Sequence, residues 1–338
     1  MISCKDFIPA YSEFFRYLDE KHGHGEVLSF WESLFVPDGK GIPLVNFVAK
    51  SGIRGCFEYW AGSLNEEAAD FTMYLNEKRG FFQIVMHHCP SKGRLLELQA
   101  DTGVKPYPYY CFHCDYYRSH VEKYGLKYLF NATDVDRAAC SILIYDPAVF
   151  DGRVIVDEDT LVMDRKASQN EYFHQDFHHS LSRCIHYVGE KYGEAEVHAL
   201  LEQYAKSVLG NVIEKIRQEG LAPLKENILA SYEKEKAPDA VVAEQTEKDL
   251  KVKVLYCPVV RYMKEKGYFI SPWFKKSTEY VMETVAKESG LTFAMGHYDE
   301  ETGAASYSFG LCCRVPFEAT GRKTEGAGHS GQEGQLLQ

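Results

Sequence analysis

The chain contains no run of about 18 apolar residues and no Lys- or Arg-led apolar segment at its amino end, so neither a membrane-spanning helix nor an export leader is predicted. Basic residues are the scarcer charge. With 38 Lys and Arg against 49 Asp and Glu, the net charge is −11, a balance that repels phosphate backbones and anionic lipid. Neither nucleic acid nor a membrane is therefore expected as a partner. Familiar catalytic signatures are also missing: there is no G-x-S-x-G nucleophile elbow, and Pro37-Asp-Gly-Lys-Gly41 lacks the spacing of a phosphate-binding loop. A reducing, cytoplasmic setting is expected, in which the ten cysteines are free, catalytic or metal-bound and do not form a disulfide framework.

What the chain does have is apolar bulk and an internal repeat. Apolar residues make up 45%, with 23 Tyr and 20 Phe, enough to predict packed cores over 338 residues, a length that suggests about two domains. The segment Phe15-Arg-Tyr-Leu-Asp-Glu-Lys-His-Gly23 returns 170 positions later as Ile185-His-Tyr-Val-Gly-Glu-Lys-Tyr-Gly193. Tyr17, Glu20, Lys21, Gly23, Glu26 and Val27 fall on Tyr187, Glu190, Lys191, Gly193, Glu196 and Val197. His88-Cys89-Pro90 aligns with Tyr256-Cys257-Pro258, and Tyr124 to Phe130 aligns with Ser289 to Met295. Collinear blocks with slowly drifting offsets indicate duplication.

Each half shows the same periodicities. Helical patterns cover Tyr11 to His22, Glu26 to Phe35 and Ala195 to Gln218. Strand-like runs (Phe81 to Met86, Val252 to Leu255) lead into Cys-Pro, where Pro suits the first turn of a helix at Ser91 to Gln99 and Val259 to Lys266. Helices at Tyr109 to Tyr124 and Phe274 to Ser289 precede two hairpins, Leu126 to Asn131 with Ala138 to Tyr145 and Leu291 to His297 with Ala304 to Phe309. The expected fold is α+β: two tandem copies of a helical layer packed on a small antiparallel sheet. The expected domains are residues 1–146 and 172–319, joined by a linker at 147–171 with a strand at Arg153 to Val156, and followed by a disordered tail at 320–338.

Reactive side chains are unevenly shared between the copies. The first has His87-His88-Cys89, Cys111-Phe112-His113-Cys114-Asp115, His120 and Cys140. The second keeps Cys257 but has Thr278 and Glu279 opposite His113 and Cys114, and Ala305 opposite Cys140. One reading makes Cys114 a nucleophile whose pKa is lowered at a helix N-terminus, with His113, His120 or His88 as base and Asp115 as orienter or anchor. Another makes Cys111 and Cys114, with Cys89 and Cys140 or His88, the ligands of a divalent metal such as zinc. A third makes the thiols small buried hydrophobes. The aromatic run through Tyr109 and Tyr110 is expected either to line a substrate pocket beside Cys114, with His120 nearby, or to fill core.

The second copy has Phe173-His174-Gln-Asp176-Phe-His178-His179. His174 and His178 would share a face on a helix and are a second candidate metal pair. The charge runs Glu233 to Lys236 and Glu244 to Lys253 read as solvated helix and loop.

The order of a strand ending in Cys89, then Cys114 followed by Asp115, then a hairpin strand carrying Cys140, resembles the L-2-amino-thiazoline-4-carboxylic acid hydrolase-like family over Phe81 to Tyr145. Tyr187 to Gly193 and Cys257 to Phe309 look like a diverged member of the same group. The resemblance implies hydrolytic opening of a small nitrogen heterocycle at C=N or C–N, without an organic cofactor. Two further expectations stand beside it: a metal-dependent hydrolase or lyase, and a non-catalytic module that holds a small ligand. The partner expected in every case is a small molecule, with a homo-oligomer also open.

Overall fold

A computed structural model describes residues 1–35 and 43–311. The Pro37 to Gly41 segment and residues 320–338 lie outside the described residues. The first half opens with helices α1 (Phe7–His22), α2 (His24–Phe35) and α3 (Pro43–Glu66), and the second with α6 (Phe177–Tyr192), α7 (Glu194–Val208), α8 (Gly210–Glu219) and α9 (Ala222–Lys234). In α1 the buried residues Phe7, Ala10, Phe14, Tyr17 and Leu18 recur at three and four, and α6 repeats this with Leu181, Cys184, Ile185 and Val188. Both helices stop at a glycine that L-residues would replace only with strain, Gly23 at φ 85° and Gly193 at φ 90°. The long helix expected over Ala195 to Gln218 is two helices, divided at Leu209.

After these helices each half runs through strand, strand, helix, helix, strand, strand, the second of these helices being short in the first half and 14 residues long in the second. In the first half these are β1 (Asp70–Asn76), β2 (Phe81–His88), α4 (Pro90–Thr102), α5 (Tyr117–Glu122), β3 (Lys127–Asn131) and β4 (Cys140–Tyr145). In the second they are β6 (Val241–Gln245), β7 (Asp249–Val254), α10 (Pro258–Glu265), α11 (Lys276–Ser289), β8 (Leu291–Tyr298) and β9 (Ala305–Leu311). Strand order is β3-β4-β2-β1 in one sheet and β8-β9-β7-β6 in the other, all neighbours antiparallel. Corresponding strands thus occupy corresponding places, and the α+β expectation of two tandem helix-on-sheet copies holds. Along β7 burial alternates strictly, with Leu250, Val252 and Val254 inward, as a strand with one solvated face requires.

One strand lies elsewhere than expected. Arg153 to Val156 is not a strand, and Val156 is exposed. Instead β5 (Leu161–Arg165) pairs with the free edge of β1, Met73 opposite Met163. Asp164 Oδ1 accepts a 2.7 Å hydrogen bond from Thr72 Oγ1 across that pairing. The connecting segment therefore covers the edge of the first sheet, which would otherwise present unpaired amides.

The cores do not follow the halves. A smaller core lies under the first sheet, centred on Trp60, Phe71, Phe82 and Ile144. The larger one contains α1 and α2 side chains such as Phe15 and Trp31 together with Leu200, Leu224, Val285 and Phe309 from the second half. Across that shared layer Phe7 stacks on Phe177 at 4.4 Å and His22 on Tyr192 at 3.8 Å, each residue facing its own counterpart 170 positions away. The helices therefore meet about a local two-fold axis, as the identical subunits of a dimer do.

Candidate functional site

Cys89 ends β2 and caps α4. Its N–H donates to the Ala138 carbonyl at 2.6 Å, and its Sγ accepts from the Lys92 N–H at 3.5 Å. Pro90, lacking an N–H, fits the helix start that follows. Cys140 opens β4 opposite Met86, near the end of β2. Cys111 and Cys114 lie in a short 3₁₀ segment, Tyr110–Tyr116, that leads into α5. All four thiols keep part of their surface accessible. Cys89 and Cys140 pack against the smaller core and Cys111 against the larger, so the group sits where the two cores meet.

The electrostatics of this junction differ from the expected activation. Burial pushes the Cys89, Cys111 and Cys114 thiols up to about 12, and that of Cys140 also upward, with the neighbouring thiols adding to the effect at Cys89, Cys111 and Cys140. A short 3₁₀ segment aligns few peptide dipoles, so the lowering expected at a helix N-terminus is outweighed by desolvation. Cys114 nevertheless has a base beside it: its Sγ is 3.7 Å from His113 Nε2. His113 Nδ1 donates to the Tyr110 carbonyl at 2.5 Å, which fixes the tautomer and leaves Nε2 as the acceptor. Burial also holds the His113 imidazole below its ordinary value, so the pair rests as neutral thiol and neutral imidazole. The orienting group is a backbone carbonyl. Asp115 instead accepts from Arg118 at 2.6 Å.

The other sequence candidates lie around or away from this pair. Tyr110 is fully buried and meets the His113 ring edge-on at 4.9 Å, whereas Tyr109 is exposed and packs on His24. His88 is exposed at the end of β2, against Gly93 of α4. His120 is buried on α5, where burial lowers its pKa and the charged groups around it are Lys123 and Glu32, not the thiols. Among the described residues, Cys89, Cys111, Cys114, Cys140 and His88 do not converge at ligand distance, so the expected tetrahedral metal set is not formed there. The His174/His178 pair is not formed either. Helix α6 begins at Phe177, which leaves His174 outside it and bound to Glu66 at 2.5 Å, while His178 turns inward to Glu235 at 3.0 Å.

Several participants carry no sequence signal. Burial raises the Glu67 carboxyl, with His174, His113 and Arg94 acting against the rise. The Arg94 guanidinium lies over the Tyr172 ring at 3.5 Å, and both Arg94 Nε and the Tyr172 hydroxyl are buried without a hydrogen-bond partner among the described residues. Glu235, within a charge run expected to be solvated, is 3% exposed.

The second half supplies an internal comparison. Cys257 caps α10 and donates its N–H to Thr302 O at 2.9 Å, as Cys89 does to Ala138. Tyr107 N–H donates to Ser12 Oγ and Ser271 N–H to Ser182 Oγ, which registers Tyr107 on Ser271 and places Ser277 and Thr278 opposite His113 and Cys114, one position from the sequence alignment. There Met1 and Ile2 fill the space beside Cys257, leaving a cavity of about 20 Å³ bordered by Phe274, Ser277 and Thr278. At this place the described residues of the second copy form no thiol–imidazole pair, and the cavity has room for about one water. No protein-family model, no curated protein and no solved structure matches the chain.

Proposed function

We propose that the first half is a small-molecule hydrolase acting at a C–N or C=N bond, with Cys114 as nucleophile and His113 as base. The observation that carries this reading is the 3.7 Å approach of Cys114 Sγ to His113 Nε2, with Nδ1 held by the Tyr110 carbonyl. A nucleophile, a base and a fixed orienter are the parts that covalent catalysis needs. Because the pair rests neutral, the thiol proton would pass to Nε2 as Sγ bonds to the electrophilic carbon. The imidazolium would then return that proton to the leaving nitrogen as the C–N bond breaks. A water, deprotonated by the same imidazole, would add to the carbon of the resulting thioester or thioimidate, and the expelled sulfur would take the proton back from the imidazolium to restore the thiol.

Two further groups suit this chemistry. Glu67, whose carboxyl burial raises above its ordinary value, acts electrostatically on both His113 and Cys114 and is the candidate proton donor beside the pair. Arg94, with its unpartnered buried Nε, offers a cation to a carboxylate such as the resembled family's name implies for its substrate. The test is turnover of small cyclic amidines and thiazolines by the wild type and by Cys114→Ala. Loss of at least about 100-fold in kcat/KM in the variant supports the proposal, and equal turnover overturns it.

A second reading, a non-catalytic ligand-binding module, is favoured by the upward displacement of every thiol in the cluster. It predicts a ligand retained by Cys114→Ala with unchanged affinity and no product from either protein.

A further inference from the structure

The one group of described residues whose ligating atoms converge does not include the Cys114–His113 pair. Cys4 Sγ, an imidazole nitrogen of His178 and a carboxylate oxygen of Glu235 all fall within 4.8 Å of one another. The three come from distant parts of the chain: the segment before α1, the first turn of α6 and the residue that ends α9. All are buried, Cys4 at 0%, His178 at 1% and Glu235 at 3% exposure. Glu235 is fixed at both oxygens, Oε1 accepting from the Cys4 N–H at 2.5 Å and Oε2 facing His178 Nε2 at 3.0 Å.

We propose that Cys4, His178 and Glu235 form a structural site for a divalent cation of zinc-like softness, which clasps the amino-terminal segment of the first half to the helices of the second. Thiolate, imidazole and carboxylate are the donor types that such an ion takes. Charge favours it: a thiolate and a carboxylate side by side carry two negative charges in a dry site, and one dication cancels them. Metal–ligand bonds near 2.0–2.3 Å put ligand atoms about 3–4 Å apart, so a set already within 4.8 Å needs only small side-chain adjustments. Complete burial leaves no path for a substrate, so the role is cohesive and independent of the hydrolase reading.

The experiment uses the full chain, stripped with a chelator and titrated with Co²⁺ alone, then with Zn²⁺ in competition. The expected result is one equivalent of Co²⁺ with a thiolate-to-metal charge-transfer band, its displacement by Zn²⁺, and a rise in unfolding temperature with either ion. Cys4→Ser should lose the band and weaken binding at least about 100-fold, whereas a variant with Cys89, Cys111, Cys114 and Cys140 all changed to Ser should keep both. If Cys4→Ser does not fold, the same band in that quadruple variant, together with its loss in Glu235→Gln, supports the site. Absence of a thiolate band in the wild type, or its loss in the quadruple variant with Cys4 intact, overturns the proposal.

Discussion

Tyr17 donates its hydroxyl to Glu196 across the layer between the halves, and Tyr187, its counterpart 170 positions later, donates to Glu26, the counterpart of Glu196. The two bonds are one interaction made twice about the local axis. Each is a phenol donating to a carboxylate, the charge-assisted kind that contributes about 1.5–3 kcal/mol. Tyr17→Phe and Tyr187→Phe should each lower unfolding free energy by an amount of that order. Because Lys191 also reaches Glu26 at 2.6 Å, the Glu26 carboxylate keeps a close ammonium partner when Tyr187 is lost, whereas among the described residues Glu196 retains the more distant His22 at 3.5 Å. Tyr17→Phe should therefore be the more damaging, measured by urea denaturation with both variants at unchanged slope.

The thiols at the candidate site should be sluggish towards alkylation. With burial holding Cys114 near 12, its thiolate fraction at pH 7 is minute. Iodoacetamide should modify it at a rate far below that of free cysteine and rising about tenfold per pH unit through pH 9. Fast labelling of Cys114 at pH 7, read by mass spectrometry, would contradict the neutral-pair description. His113→Gln should leave labelling slow while lowering turnover by about 10²–10⁴-fold, since it removes the base and leaves the thiol's surroundings in place.

Much of this fold is legible in the sequence because hydrophobic spacing and helix-ending glycines are local signals. The repeat at Tyr17 to Val27 and Tyr187 to Val197 foretells the duplicated helix pair, and the two Cys-Pro steps foretell where strands turn into helices. What the sequence hides is long-range. Leu161 to Arg165 becomes a strand only because β1 has a free edge to offer. The Glu233 to Lys236 run reads as solvated, yet Glu235 is drawn inward by two partners from distant segments, Cys4 and His178. The thiols of the first half gather where the two cores meet, but spacing alone cannot show that desolvation there outweighs every charge that would lower their pKa.

Two glycines, Gly93 on α4 and Gly189 on α6, test packing against neighbours that differ in compliance. A Cβ on Gly189 would fall 2.5 Å from the Trp273 ring, and one on Gly93 would fall 2.3 Å from His88 Nε2. Trp273 is held in the shared core layer, whereas His88 is exposed and free to rotate away. Gly189→Ala should cost about 1–3 kcal/mol from overpacking despite alanine's better helix propensity. Gly93→Ala should be neutral or stabilising by up to about 1 kcal/mol. Thermal melts of the two variants give opposite signs if this account is right and equal losses if it is wrong.

Acid should weaken the fold in two steps that separate variants can assign. Burial holds His113 below its ordinary value of about 6.5, so as pH falls the unfolded chain takes up that proton before the folded one does. The stability associated with neutral His113 is fully present above about pH 6.5 and drains away below it. At Glu26, burial works to raise the carboxyl, but hydrogen bonds from Lys191, Tyr187 and Tyr192 outweigh it and hold the group below its ordinary value. That contribution is present above the ordinary carboxylate pKa of about 4.3 and is lost as pH falls through the lowered folded value. Denaturant midpoints should therefore decline first below about pH 6.5, the ordinary His value, and again below about pH 4.3, the ordinary carboxylate value. His113→Gln should flatten the first decline and leave the second. Glu26→Gln should be less stable at pH 7 and show a shallower second decline, and a His113→Gln profile parallel to that of the wild type below pH 6.5 would show that His113 is not desolvated as described.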